Sequence, residues 1–246
     1  MTLRLEPHTI SDAVLAEAAR WKTDRLMGRL WDADPTVWGT AGTPELEDRL
    51  GWLTLPSTSR DLVPVIGTLT AEARRSAISD IVLCGMGGSS LAPEVFADAL
   101  RSTGSGPKLT VLDSTHPDAV AAVDDATSPD TTWYIISSKS GSTLETLSFF
   151  HWFWSRASRE LSSPGSHFIA ITDPGSPLAD LATARQFKTV IDADPNVGGR
   201  YSALTAFGLV PAGLTGADPT AMLDAAVAVA ATCGPDIDLL ENPAFV

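Results

Sequence analysis

From Asp80 onward the chain sets short, wholly apolar, β-rich runs between segments of helical pattern, and this alternation limits the fold more than any other feature. The runs fall at 81–84, 109–112, 133–137, 168–172 and 188–191, and the helical patterns at 90–101, 117–126, 143–161 and 177–183. A strand that is apolar throughout has to be covered on both faces, and strands separated by helices connect in parallel. The expected fold class is therefore α/β: an α-β-α sandwich around a five-stranded parallel sheet, open and doubly wound. The helix starts agree with this. Pro117, Pro177 and Pro219 each suit the first helical position, behind His116, Ser176 and Asp218 as caps. No internal repeat or low-complexity tract interrupts the pattern.

Residues 1–76 lack such runs and read as a helical segment preceding the sheet. Ser11 is the expected N-cap of a helix over 12–31, where Val14, Ala18, Trp21, Leu26 and Leu30 recur near the helical period. Asp34-Pro35 ends that helix, 39–43 is a loop, and further helices are expected over 44–52 and 59–76. Trp31, Trp38 and Trp52 are expected to be packing anchors, given the area each buries. Beyond the last strand, helices are expected over 203–214 and 219–232, and Pro243 reads as the opening of another element. The expected division is a helical segment 1–76, a first α/β domain 77–216 and a helical connection 217–246, from which the chain is expected to continue.

Composition excludes several classes of partner. Seventeen basic residues against 30 acidic ones give a net charge of −13, so neither nucleic acid nor an anionic membrane is an expected partner. A small phosphorylated ligand is compatible with that charge, because a few backbone amides and one or two cations hold a phosphate locally. Cys84 and Cys233 are too few for a disulfide framework and lack metal-ligand spacing, and no metal site is expected. Met1 to Pro7 carries no signal-peptide core, and no apolar run is long enough to span a bilayer. A soluble cytoplasmic protein is expected.

In an open α/β sheet, ligands bind outside the carboxyl ends of the strands. Three strand exits carry candidate chemistry. The first, Gly85-Met86-Gly87-Gly88-Ser89-Ser90-Leu91-Ala92-Pro93, lets backbone approach a ligand closely ahead of a helix N-terminus. Gly85 and Gly87 with Asp113 also keep a dinucleotide reading open, although Ser90 stands where the third glycine would be. The second exit, 137–143, holds five hydroxyl side chains, Lys139 and Gly141 directly before a helix, the composition of a phosphate cradle. Ser142 and Glu145 have the spacing of a capping box. The third, Asn196-Val197-Gly198-Gly199-Arg200-Tyr201-Ser202, sets one arginine behind two glycines, a positioned cation suited to an anionic intermediate. His8, His116, His151 and His167 do not cluster. His116 reads as a cap, His151 as part of a packed aromatic helix face, and Cys84 as core.

Together and in this order the three loops resemble the glucose-6-phosphate isomerase family, built on the sugar isomerase (SIS) fold. Gly85 to Pro93 is similar to the family's glycine-serine loop, with Ser90 where an aspartate is frequent. Ser138, Lys139, Thr143, Glu145 and Thr146 match its phosphate loop, and Val197 to Ser202 match its Val-Gly-Gly-Arg-Tyr-Ser motif without departure. The likeness is clear over 80–214. The helical start, with Trp38 and Gly51-Trp52-Leu53, is more similar to the isomerase half of bacterial transaldolase–isomerase fusions. The resemblance implies interconversion of glucose 6-phosphate and fructose 6-phosphate through a cis-enediolate, without a cofactor, in a homodimer. It implies that Ser138, Lys139, Ser140 and Thr143 hold the phosphate, that Gly88, Ser89 and Gly199 line the sugar, and that Arg200 stabilises the enediolate. The family's proton-transfer glutamate and its ring-opening histidine and lysine belong to a second SIS domain, and no motif for them lies in residues 1–246; Glu145 is the motif acid that this chain does carry. Half an active site is expected. A non-catalytic sugar-phosphate-binding SIS module is the rival reading, and it has no need of the arginine motif.

Overall fold

A computed structural model of the chain describes residues 11–100 and 106–245, with Ser11 as backbone alone. Four helices lead in: α1 (Ser11–Thr23), α2 (Leu26–Trp31), α3 (Leu55–Thr58) and α4 (Leu62–Arg75). There follow β1 (Asp80–Gly85), α5 (Leu91–Leu100), β2 (Lys108–Leu112), α6 (Pro117–Ala126), β3 (Thr132–Ser137) and α7 (Leu144–Glu160). The chain continues through β4 (Phe168–Thr172), α8 (Pro177–Ala184), β5 (Thr189–Asp192), α9 (Ala206–Leu214) and α10 (Pro219–Thr232). All five strands pair in parallel in the order β2-β1-β3-β4-β5, so the expected doubly wound α/β sandwich is the fold found.

The strands are buried on both faces, as their composition requires. Ile81, Leu83, Ile135, Ile169 and Ile171 point to one layer, where Ile66 and Leu69 of α4, Leu209, Val210 and Leu214 of α9 and Leu223 of α10 cover them. Val82, Cys84, Tyr134, Ile136 and Ala170 point to the other, under Val123 of α6, Phe149, Phe150 and Phe153 of α7 and Leu178 of α8. Tyr134 is stacked between Phe153 and Phe168, at 4.9 Å from each ring. Three helix starts are capped as the sequence implies. The His116, Ser176 and Asp218 side chains accept from the backbone N–H groups of Asp118, Ala179 and Thr220.

The lead-in departs from expectation in three places. The helix expected over 12–31 is two helices, because Arg25 adopts a left-handed conformation (φ 51°) after Thr23-Asp24, both weak helix formers. The break turns α2 so that the Trp31 indole donates to the Cys233 carbonyl at 2.9 Å. No helix forms over 44–52. Leu50 instead bridges antiparallel to Val197, and Gly51–Leu53 is a single 3-10 turn. A long-range backbone pairing has overridden local propensity there. Trp31 and Trp52 are partly buried, the one bonded to Cys233 and the other stacked on Tyr201, but Trp38 is half exposed and not the buried anchor expected. The capping role expected of Ser11, His8 and the signal-peptide reading of the first residues lie outside what the structure describes.

The aromatic layer between α7 and the sheet predicts a stability cost. Phe153 is fully buried against Tyr134, so Phe153→Ala should lower unfolding free energy by about 3–5 kcal/mol in denaturant titrations.

Candidate active site

Strand order reverses between β1 and β3, since β2 lies outside β1 while β4 and β5 lie outside β3. That reversal opens a crevice at the carboxyl ends of these two strands, and the first two candidate loops leave from either side of it. The Ser137 hydroxyl donates to the Ser89 carbonyl at 3.2 Å, tying the loops together where they begin.

The third loop reaches the same place from β5. It forms a 3-10 turn over Gly199–Leu204, and the Ser202 hydroxyl lies 2.9 Å from the Gly88 carbonyl oxygen, to which it donates. Gly88 and Gly199 touch backbone to backbone, and a Cβ on Gly88 would collide with the Gly199 carbonyl. From the other side, the Gly51 N–H donates to the Asn196 carbonyl at 3.0 Å, and the Trp52 indole stacks on Tyr201 at 5.2 Å. The loop carrying Arg200 is therefore pinned on two flanks. Arg200 itself is exposed, and its guanidinium has no hydrogen-bond or ion-pair partner among the described residues.

In the second loop Ser138 is buried, and its hydroxyl shares a 2.9 Å hydrogen bond with Thr143 while accepting from the Gly141 N–H at 3.2 Å. Ser140 accepts from the Ser142 N–H at 3.3 Å and from the Ser142 hydroxyl at 3.1 Å. Gly141, at φ +67°, makes the turn. The backbone N–H groups of Lys139, Ser140 and Thr143 have no hydrogen-bond partner among the described residues, and α7 begins directly afterwards. Unpaired amides, two serines and a threonine on the positive end of a 17-residue helix are equipped to take an anion.

The capping box expected of Ser142 and Glu145 does not form. Thr143 is the N-cap residue and makes no side-chain cap bond, because its hydroxyl is turned to Ser138. Glu145 thus has an unpaired carboxylate on the first turn of α7. The Lys139 ammonium is turned away from the serines, to the Asp173 carboxylate at 2.7 Å and to the carbonyls of Pro195 at 3.0 Å and Asp194 at 3.4 Å. The sequence does not point to Asp173 as part of this arrangement, nor to the pairing of Trp52 with Tyr201 or of Ser202 with Gly88. Asp173, an acid directly after an apolar strand, was the one that a strand-exit search would find.

Other candidates stand apart. Burial drives the Cys84 thiol far above its ordinary range, which removes it as a nucleophile. His116 caps α6, His167 sits 3.0 Å from the Thr132 carbonyl, and His151 is exposed beside Phe150 and not packed as expected. Among the described residues no group of histidine, cysteine, aspartate or glutamate is placed to hold a metal ion, and no helix is long and apolar enough to cross a membrane.

Fold and site together define an open α/β protein with a serine- and threonine-rich loop at its topological switch point and an exposed, unpaired arginine on the neighbouring loop that packs against Gly88. The family profile of phosphoglucose isomerase matches residues 66–229, and the chain belongs to that family. It is 31% identical to the glucose-6-phosphate isomerase of Rubrobacter xylanophilus over 90% of this chain and 52% of that one. It is 32% identical to that of Acaryochloris marina over 98% of this chain and 46% of the relative. A crystal structure of a glucose-6-phosphate isomerase from Chlamydia trachomatis superposes on 87% of this chain with a TM-score of 0.67 and 25% identity, covering 40% of that chain. A hypothetical protein from Thermus thermophilus superposes on 90% with a TM-score of 0.72 and 27% identity, covering 51% of its own length. The chain spans about half the length of the curated relatives it matches. The dinucleotide reading of Gly85, Gly87 and Asp113 gains nothing from these likenesses.

The Gly88–Gly199 contact can be tested separately from the turn beside it. Gly88→Ala should force the loops apart and speed amide hydrogen exchange across residues 196–202. Gly87 faces open space at φ +56°, so Gly87→Ala should cost about 1–2 kcal/mol of stability and leave that exchange unchanged below global unfolding.

Proposed function

We propose that this chain carries the phosphate-binding half of the active site of an aldose–ketose isomerase interconverting glucose 6-phosphate and fructose 6-phosphate, a step of glycolysis and gluconeogenesis. The observation that carries the reading is the convergence of three loops at one crevice, the second with unpaired amides before α7 and the third carrying an exposed, unpaired Arg200. In this reading Ser138, Ser140 and Thr143, with the free amides of 139–143 and the start of α7, hold the phosphate. Lys139 belongs to the loop through its backbone. Gly88, Ser89 and Gly199 line the sugar, where side-chain-free backbone lets it come close.

Isomerisation moves a proton between C2 and C1 and leaves negative charge on the enediolate oxygens. A guanidinium carried on a pinned loop would stabilise that charge as it develops. Proton transfer requires a base within hydrogen-bond reach, and we assign that base to the remainder of the protein. Within this chain, Glu94, Asp113 and Glu145 are the acids among which a base would have to be sought if turnover were found. The unit carrying the site is 77–216, and 217–246 leads toward a second domain of the same kind. The reading includes a homodimer of the full-length protein and a cytoplasmic location, which two unpaired cysteines suit.

Calorimetry with fructose 6-phosphate tests the cradle. The isolated chain should bind it without turning it over, and Thr143→Val should cost about 1.5–3 kcal/mol of binding through one lost bond to a charged oxygen. Ser142→Ala, which loses only an exposed bond to Ser140, should change stability and affinity by about 0.5 kcal/mol at most. Fast interconversion by the isolated chain would defeat the half-site reading.

Arg200 separates this enzyme from a non-catalytic sugar-phosphate sensor. Arg200→Ala should barely alter fructose 6-phosphate affinity, while in the full-length protein it should lower kcat by about 10²–10³-fold. A loss of ground-state affinity with no catalytic effect would favour the sensor.

A further inference from the structure

Lys139 stands in the phosphate loop, yet its side chain serves a different one. An ammonium has three N–H donors, and Lys139 has three acceptors within reach: Asp173 Oδ2 at 2.7 Å, the Pro195 carbonyl at 3.0 Å and the Asp194 carbonyl at 3.4 Å. No donor is left over for an anion in the cradle. The acceptors sit at the exits of β4 and β5, so one side chain joins three strand ends. Its backbone strengthens the junction, because the Lys139 carbonyl accepts from the Asp173 N–H at 3.1 Å and from the Thr172 hydroxyl at 3.3 Å.

Asp194 and Pro195 lead directly into the segment that carries Arg200. The Val197 N–H donates to the Asp194 carbonyl, and the Asp194 carboxylate accepts from the Asn196 N–H, which makes 194–197 one compact turn. Moving that turn moves the base of the arginine loop. The loop's other ties run to Leu50, Gly51 and Trp52 in the lead-in and to Gly88 at the exit of β1. Among the described residues, Lys139 supplies the hydrogen-bonded tie between it and the phosphate loop.

We propose that Lys139, held by Asp173, is a positioning residue that fixes the Arg200 loop relative to the phosphate cradle, and not itself a ligand of the phosphate. This inference rests on the isomerase reading above. Occupancy of the cradle and placement of the guanidinium are then one mechanical event. Phosphate that orders 138–143 also orders the lysine's backbone, and through its side chain the turn at 194–197.

The test uses this chain, with Asp173→Asn and Lys139→Met and three probes: inorganic phosphate, fructose 6-phosphate and arabinonate 5-phosphate. The last carries a carboxylate where the enediolate charge would develop, so its preference over fructose 6-phosphate reports the placement of Arg200. Both variants should lower that preference about tenfold, the scale of one charge-assisted hydrogen bond. Both should keep inorganic phosphate affinity within about threefold, and the double variant should lose no more than either single one. Lys139→Arg, which keeps the charge, should restore part of the preference. A phosphate ligand would behave otherwise. Lys139→Met would then lose inorganic phosphate tenfold or more, while Asp173→Asn, by freeing the ammonium, would retain or raise it. That pattern, or an unchanged preference in both variants, overturns the proposal. Asp173→Asn decides alone should Lys139→Met fail to fold, since it preserves volume and leaves the lysine in place. A wild-type chain that binds none of the probes would instead defeat the isomerase reading.

Discussion

Strands β1 and β3 lie side by side although α5, β2 and α6 separate them in sequence, and the site depends on that adjacency. Helices that follow the two strands depart to opposite faces of the sheet, so the loops leading to them diverge and leave a gap between. The gap is lined by backbone on the side of Gly85 and Gly88, and the bond from the Ser137 hydroxyl to the Ser89 carbonyl closes it at its base. Nothing in the first loop or the second would face a common ligand if β2 lay between them. The third loop needs no such adjacency. It arrives from the far end of the sheet and is brought in by contacts with Gly88, Gly51 and Trp52.

The charge distribution is economical. In a chain of net charge −13, one cation of the site is neutralised by Asp173 and the other is left free. In the isomerase reading proposed above, the cradle attracts a phosphate chiefly through oriented amides and hydroxyls, with the helix dipole behind them. Arg200 adds a localised charge on a loop that the fold holds against Gly88 and Gly51. Such a division suits a reaction whose substrate and product carry the same phosphate but whose intermediate alone gains charge at the other end.

Most of the fold was legible because its signal is periodic. The five strands are apolar at nearly every position, and their expected bounds hold to within a residue or so. The two loops proposed for phosphate and arginine stand out for a different reason: their glycine, serine and threonine cluster at strand exits, and the structure brings both loops to the first one. What the sequence concealed depends on distant partners. Nothing local shows that Leu50 pairs with Val197, that Trp52 stacks on Tyr201, or that Thr143 caps α7 by position while its hydroxyl turns to Ser138. Lys139 is the sharpest instance. Its place within a run of hydroxyls suggests a phosphate contact, and its length carries the charge to another loop.

The contact between Gly88 and Gly199 has a consequence for how such a site can change over generations. A side chain at Gly88 would strike main-chain atoms, whereas one at Gly199 would meet nothing closer than the Gly88 Cα at 4.0 Å. When a new side chain collides with another side chain, a second substitution nearby can shrink the obstacle and restore fitness. The peptide backbone offers no such second substitution. Position 88 is therefore closed to drift by the protein itself however its neighbours vary, whereas at position 199 the fold leaves room for a side chain and only what the crevice must admit could forbid one.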